Sequence, residues 1–263
     1  MIEQNLPAWD KDPLSTFLAD AEFNGRVTAL NLAPLYDMLR RVDGLFRRVE
    51  EAIESDNWDE LLVPRFLMVR THSSFLAGIR LAMSGQVCES CPVLRAAVEQ
   101  AWYALHIAKD PEPPSRAEIW LKRNVGATEK ARCKSEFTAA SVRRTHEGID
   151  PDTAHTLHEI YERLIDFGAH PNQFGVMASV TKSETDRKVT FGIGILHLEP
   201  VAISWALKMA SEVAIGALKA FQPVFSERFV LLGIDRAIDD FVARAHAVFK
   251  PCSLDHAKRA TRG

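Results

Sequence analysis

Apolar residues recur at intervals of three and four along residues 27–54, and this helical period constrains the fold more than any other feature of the sequence. The positions that share one face are Leu35, Leu39, Val42, Leu45, Phe46, Val49 and Ile53. Such a stripe predicts a long amphipathic helix whose apolar face lies in a core. Pro34 fits the first turn of that helix, where its missing N–H costs little.

Prolines and glycines divide the rest of the chain into further helical segments. The predicted helices span residues 58–84, 92–108, 115–145 with a break at Gly126, 151–167, 199–221 and 223–248. Pro64 and Gly85 mark the two ends of the first of these, and the prolines of "KDPEPP" end the second. The sequence therefore predicts a mainly α fold, a bundle of about seven or eight helices.

The hydrophobic period changes near residues 175–196. "FGVMASV" and "KVTFGIGIL" are rich in β-branched residues and flank the polar stretch "TKSETDR". This pattern predicts one β-hairpin inserted in the bundle, with the polar stretch as its loop. An isolated hairpin is only marginally stable in water, so we expect it to pack on the helices or on a second subunit.

Neither a repeat nor a low-complexity linker divides the sequence, so we expect a single helical domain over residues 25–249. Residues 1–24 carry five acidic side chains against Lys11 and are expected to form a loosely held acidic arm. Residues 250–263 end in "KRATRG" and are predicted to be a basic, disordered tail.

The composition is that of a globular protein and argues against several functions. The 263 residues are 47% hydrophobic and 25% charged, with a net charge of −3, which provides no general attraction for nucleic acid and no indication of DNA binding. The N-terminal "MIEQNLPAWDKDPL" has acids where a signal peptide has basic residues. Lys208, Glu212 and Lys219 interrupt the most apolar segment, so we expect no membrane span and a cytoplasmic protein.

Charge is informative where it is scarce or unbalanced. In "PVLRAAVEQAWYALHIA" the charged residues are Arg95 and Glu99, which are four residues apart. A helix with so little charge is expected to lie at the centre of the bundle. The pair therefore forms either a structural clamp or part of a site. The preceding helix, from Val63 to Gly85, carries cations and no acid. An anionic small ligand bound by Arg70, His72 and Arg95 would balance these cations, and solvated arginines beside a core histidine would also explain them.

The stretch "ERLIDFGAHPNQFG" places Arg163 and His170 seven residues apart. On an α-helix this spacing puts them within about 20° of each other and about 10 Å apart along the axis. Asp166 is four residues before His170, where a carboxylate would hold one imidazole nitrogen and raise the basicity of the ring. Gly168 and Pro171 indicate that His170 lies at or beyond the helix end. A ladder of exposed charge pairs would explain the same residues.

Two segments resemble a large group of uncharacterised bacterial all-helical proteins. "VLRAAVEQAWYALHI" is similar to their Arg-x-x-x-Glu motif, and "IYERLIDFGAHPN" is similar to their Tyr-x-x-Leu…His-Pro-Asn motif. The matching residues, within a likeness that covers roughly residues 60–180, are Arg95, Glu99, Tyr161, Leu164, His170, Pro171 and Asn172. Some of these proteins resemble the HEPN superfamily of toxin–antitoxin, abortive-infection and RNA-processing systems.

The HEPN resemblance implies a metal-independent endoribonuclease that works across a dimer interface, with Arg163 and His170 as the catalytic pair. His170 would act as general base on the 2′-hydroxyl or as acid to the leaving oxygen, and Arg163 would stabilise charge on the phosphate. Residues 116–146, with an excess of five positive charges, are the candidate approach surface for RNA. Leu164 departs from the HEPN pattern, which has a polar residue after the arginine.

We therefore expect first a homodimeric interaction or scaffold protein, linked by the resemblance to phage defence or stress response. The alternatives are the endoribonuclease and the anionic-ligand binder. "CESC" at Cys88 and Cys91 has the spacing of a zinc or redox pair, but the two remaining cysteines are distant and form no second pair. We expect no metal and no cofactor.

Overall fold

The structure is a computed structural model that describes residues 11–53, 61–113, 115–170, 173–177, 180–185, 188–196 and 199–249. It is mainly α with one antiparallel β-hairpin, which confirms the predicted fold class. The elements in chain order are α1 (Pro13–Asn31), α2 (Ala33–Ile53), α3 (Leu62–Ser84), α4 (Val87–Ala108), α5 (Ser115–Leu121), α6 (Ala127–Glu136), α7 (Ala139–Glu147), α8 (Pro151–Leu164), α9 (Gln173–Met177), β1 (Val180–Thr185), β2 (Lys188–Ile193), α10 (Pro200–Phe221), α11 (Ser226–Leu231) and α12 (Ile234–Phe249).

The first helix lies largely within the segment predicted to be a loose acidic arm. Asp12 caps it by accepting hydrogen bonds from two backbone N–H groups of the first turn, and Pro13 occupies the first helical position. Asn24 and Thr28 donate to backbone carbonyls at the end of α3, at 3.3 and 2.9 Å. Residues 13–24 of the predicted arm are therefore helical, and α1 is attached to the end of α3. Residues 1–10 and the predicted tail at 250–263 lie outside the described residues.

The helices are more numerous than predicted because several breaks carry weak sequence signals. Leu32 separates α1 from α2, where the period predicts one continuous helix. The break at Gly126 is confirmed, and Thr138 adds another by accepting a hydrogen bond from the N–H of Ser141 to cap α7. Gly233, with φ of 59°, lies between α11 and α12. Helix α4 begins at Val87, five residues earlier than predicted.

Helix α10 is the centre of the bundle. Fifteen of its residues are buried, and it packs against α2, α3, α4 and α8. Its close approach to α8 requires Gly216, since a Cβ there would stand 2.6 Å from a methyl carbon of Leu157. Gly78 has the same role between α3 and α4, where a Cβ would stand 2.6 Å from a methyl carbon of Leu94.

Helix α10 is also long and apolar enough to cross a membrane, judged by length and composition alone. Its most apolar window has a mean hydropathy of 1.4, and 67% of that window is buried inside the bundle. Core helices of globular folds pass the same test, so the helix is weak evidence for a membrane span.

The hairpin pairs Val180 with Ile193 at its open end and Thr185 with Lys188 beside its turn. The connection is therefore residues 186–187, which lie outside the described residues. "TKSETDR" supplies most of β1, so the prediction that this stretch is a loop is wrong. Residues 173–177 are helical, so the strand predicted over "FGVMASV" is wrong for that part. β-Branched residues occur in both states, and composition alone does not separate them over so few positions.

Candidate functional site

The segment between Arg163 and His170 leaves the α-helical path. Helix α8 ends at Leu164 and continues as a π-helical turn, Ile165–Ala169, in which Gly168 has a φ of 156°. His170 follows in an extended conformation, with φ −133° and ψ 148°. The expectation that His170 lies beyond the helix end is confirmed. The small angle between Arg163 and His170 that an unbroken α-helix would give does not apply across this turn.

Gly168 fits against the first turns of α4. A Cβ at residue 168 would stand 2.4 Å from the carbonyl oxygen of Cys88. Pro92 lies four residues after Cys88 within the same helix and has no N–H, so it cannot donate the usual helical hydrogen bond to that carbonyl. The proline in α4 and the glycine after α8 thus belong to one contact, which anchors the π-helical turn.

Arg163 faces the central helix rather than the π-helical turn. Its Nη1 lies 3.5 Å from Oε2 of Glu212 in α10, and its Nε donates to the carbonyl of Glu159 at 3.3 Å. His170 and Asp166 are exposed. Arg163 lines a groove whose described lining does not include His170, so the structure does not bring the proposed catalytic pair together in that concave surface.

This groove lies between α8, α10 and α12 and has a volume of about 970 Å³. Its charged lining residues are Asp152, Arg163, Lys208, Glu212 and Lys219. Its apolar lining includes Leu157, Ile160, Ile215, Phe241 and Val242. Concave, largely apolar surfaces of this size with a few charged groups are typical of ligand sites.

Arg95, Glu99 and Tyr161 meet where α4 packs on α8. Nε of Arg95 lies 3.3 Å from Oε1 of Glu99, and the hydroxyl of Tyr161 donates to the same oxygen at 3.1 Å. Burial, the Glu99 charge and this hydrogen bond together raise the pKa of Tyr161 to about 12. The tyrosine ring also packs on Trp102, with 5.2 Å between ring centroids. This arrangement favours the structural clamp over the alternative of a reacting group.

His72 is buried between two carboxylates of α2. Its Nε2 lies 2.8 Å from Asp43 and its Nδ1 lies 2.9 Å from Glu50. The ring stacks on Phe46 with 4.9 Å between centroids. Although burial opposes it, hydrogen bonds from Arg47 and His72 lower the pKa of Asp43.

The anionic-ligand site predicted from Arg70, His72 and Arg95 is therefore not assembled. An anion that approached His72 would meet two carboxylates, which repel it. Arg70 is exposed, and Arg95 pairs with Glu99. The alternative interpretation of His72, a satisfied core histidine, agrees with its contacts.

Two buried histidines that the sequence analysis did not single out lie between α4 and α7. The indole Nε1 of Trp102 donates to Nδ1 of His146 at 3.1 Å, so the proton of this imidazole is on Nε2. His106 contacts Thr145 at 2.7 Å and Glu136 at 3.2 Å. Burial lowers the pKa of His146, and burial with the Arg116 charge lowers the pKa of His106.

The basic stretch of residues 116–146 is only partly available to a ligand. Arg116 donates to Glu136 at 2.8 Å and to the carbonyl of His106 at 2.9 Å, and Arg143 donates to His158 at 2.9 Å. The exposed cations of the stretch are Lys122, Arg123, Lys130, Arg132, Lys134 and Arg144. They provide a basic surface, and Lys122 pairs there with Glu118 at 2.8 Å.

The two cysteines of "CESC" lie in the first turns of α4 and form no disulfide. Burial, together with the neighbouring Cys88, raises the pKa of Cys91 to about 12, which holds it as an unreactive thiol. Within the described part of the chain no group of three or more His, Cys, Asp or Glu side chains is arranged to hold a metal ion. Asn172, the last predicted site residue, lies outside the described residues.

Comparison of the chain with protein-family models, with curated proteins and with solved structures gives no match.

Proposed function

We propose that the protein is a homodimeric interaction protein that associates through one face of its hairpin. The observation that carries this proposal is the exposure of β2. Val189, Phe191 and Ile193 are 45%, 66% and 75% exposed, and Ile195 beyond the strand is 64% exposed. Large apolar side chains rarely gather on a free surface, and such patches are typical of interfaces between proteins.

The pattern of β2 gives the hairpin two different faces. Side chains alternate along a strand, so the odd-numbered residues 189, 191 and 193 lie on one face. Lys188, Thr190 and Gly192 lie on the other. Directly paired residues share a face, so Glu184 of β1 lies beside Val189, and the apolar row of residues 189, 191 and 193 is confined to β2. An exposed apolar row of this kind is typical of a surface that a partner covers.

A second copy of the same hairpin is the occupant that we favour. Two strands are marginal in water, and three or more with a covered apolar face are needed for stability. Pairing about a two-fold axis would place Phe191 against its equivalent and leave neither apolar face in water. Val176 and Met177 of α9, which precedes the hairpin in the chain, are also exposed, at 62% and 55%.

The test compares two strand variants by size-exclusion chromatography with light scattering. Phe191→Lys places a charge on the apolar face and should raise the dimer dissociation constant by about a hundredfold or more. Thr190→Lys, one residue away on the opposite face, is the matched control and should leave the dimer intact. A monomeric wild-type protein, or a Phe191→Lys variant as dimeric as the control, would contradict the proposal.

A further inference from the structure

We propose that the groove between α8, α10 and α12 binds a small amphipathic carboxylate, a molecule with one acidic group on an apolar body. The described lining of the groove includes no residue of the hairpin, so this site does not depend on the proposed dimer. A pair of adjacent cations, the apolar side chains of the lining and the volume of the groove support this ligand class.

Two cations are held side by side by one acid. Nη1 of Arg163 lies 3.5 Å from Oε2 of Glu212, and Nζ of Lys208 lies 3.6 Å from Oε1 of the same carboxylate. The three side chains together carry one net positive charge. The Arg163 side chain is 38% exposed and that of Lys208 is 29% exposed, so both remain accessible from the groove.

Arg163 has more N–H donors than its described contacts use, while Oε2 of Glu212 is buried and accepts no hydrogen bond from the described residues. A guanidinium has five N–H donors, and the described contacts of Arg163 use Nη1 towards Glu212 and Nε towards a backbone carbonyl. A carboxylate between Arg163 and Lys208 would accept from both cations and neutralise the remaining charge. Charge-assisted hydrogen bonds of this kind are among the stronger polar contacts in proteins.

Beyond the trio, apolar side chains line much of the groove, together with Thr153, Thr156, Asp152 and Lys219. Leu157 and Ile160 of α8, Ile215 of α10, and Phe241 and Val242 of α12 line the groove. Gly216 allows α8 and α10 to approach closely at Leu157, and both residues line the groove where these helices meet. An aliphatic or aromatic body extending from the bound carboxylate would be covered by these side chains.

The volume and the charge balance narrow the ligand class. A groove of about 970 Å³ is at the upper end of the range for small-molecule sites. Among the described lining residues Asp152 and Glu212 oppose Arg163, Lys208 and Lys219, which gives this part of the groove a net charge of +1. A polyanion such as nucleic acid needs many more cations than this, whereas a single carboxylate matches it.

The test uses decanoate and its neutral counterpart decanol, titrated separately into the full-length protein by calorimetry. Decanoate should bind at least about tenfold more tightly than decanol, because decanol lacks the charge. Arg163→Gln and Lys208→Gln should each weaken decanoate about tenfold and leave decanol unchanged. Lys130→Gln, an exposed cation of α6, is the matched control and should change neither affinity.

A groove-filling variant locates the site without altering its charges. Ala243 is exposed and lines the groove, so Ala243→Trp should fill it without disturbing the core, and decanoate binding should be lost. Three outcomes overturn the proposal: no decanoate binding up to about 1 mM, equal affinity for decanol, or unchanged binding in Ala243→Trp. A shift of Ala243→Trp on a sizing column would instead identify the groove as a protein contact, which also overturns it.

Discussion

Gly168 lies directly on the backbone of Cys88, in a space too small for any other residue. The contact joins the π-helical turn after α8 to a carbonyl that Pro92 prevents from making its usual helical hydrogen bond. Gly168 and two neighbouring residues of α4, Cys88 and Pro92, thus determine the path of the chain towards His170, although about eighty residues separate Gly168 from Cys88.

Gly168→Ala should reduce the free energy of unfolding by about 2–4 kcal/mol. The added methyl group would meet a carbonyl oxygen at 2.4 Å, and a φ of 156° is unfavourable for any residue with a Cβ. Urea denaturation followed by circular dichroism measures the change. Gly25→Ala is the matched control: nothing lies within 4 Å of its Cβ position in α1, and it should stabilise the protein by about 0.5–1 kcal/mol. Equal effects of the two substitutions would contradict the close contact.

Tyr161 should titrate at about pH 12 and lower the stability of the protein in alkali. Burial and Glu99 raise its folded-state pKa above the unfolded value of about 10, so the folded state retains the proton longer. Below pH 10 the interactions of Tyr161 contribute fully to the free energy of unfolding, and this contribution is lost as the pH rises towards 12. Phenolate absorbance of the wild type, compared with Tyr161→Phe, isolates this group from the other two tyrosines.

Glu99→Gln provides the control for that titration. It removes the negative charge while keeping an acceptor for the Tyr161 hydroxyl, so the phenol should titrate at lower pH. Tyr161→Phe should cost about 1 kcal/mol through the lost hydrogen bond. A phenol that titrates identically with Gln and with Glu at residue 99 would show that the two side chains are not in contact.

The buried histidines should make the protein less stable in mild acid. The folded-state pKa values of His106 and His146 are lowered, so the unfolded chain binds protons first as the pH falls. Above the unfolded-state pKa of about 6.5, the two histidines contribute fully to the free energy of unfolding. This contribution is lost progressively as the pH falls below that pKa. His146→Gln should flatten the decrease in unfolding free energy between about pH 7 and 5. His155→Gln, whose side chain is 74% exposed, should leave that slope unchanged.

The ribonuclease hypothesis makes a separate prediction. If Arg163 and His170 cleave RNA, induced expression should arrest growth, and His170→Ala should restore it. His155→Ala, an exposed histidine of α8, is the matched control and should remain toxic. Equal toxicity of the wild type and His170→Ala, or no toxicity at all, would remove the hypothesis.

Much of the fold was predictable because prolines and glycines mark the helix ends. Pro34, Gly85, Gly126 and Pro151 all lie at or near the boundaries that they predict. Pro92 was misleading: it suggested a helix start, but it lies inside α4, where the chain accommodates its missing N–H. The start of α1 was predictable, because an Asp followed by Pro13 is a common helix N-terminus. The surrounding acidic residues led instead to the prediction of a loose arm.

The sites were less predictable because their residues meet only through packing. The spacing of Arg95 and Glu99 predicted their pairing, but the hydroxyl of Tyr161 comes from a helix more than sixty residues later. Nothing local to His146 indicates that Trp102 donates to it. The groove lies between three helices, and Arg163 meets Glu212 there only because α8 packs against α10. No sequence pattern predicts this pairing.

The burial of α10 on most sides has a consequence for how the molecule opens. Amide protons in the middle of this helix should exchange with deuterated solvent only when every neighbouring helix has separated from it, so their exchange reports the stability of the whole molecule. If the hairpin forms the proposed dimer, its amides should exchange through local opening in the monomer and become protected as the protein concentration rises.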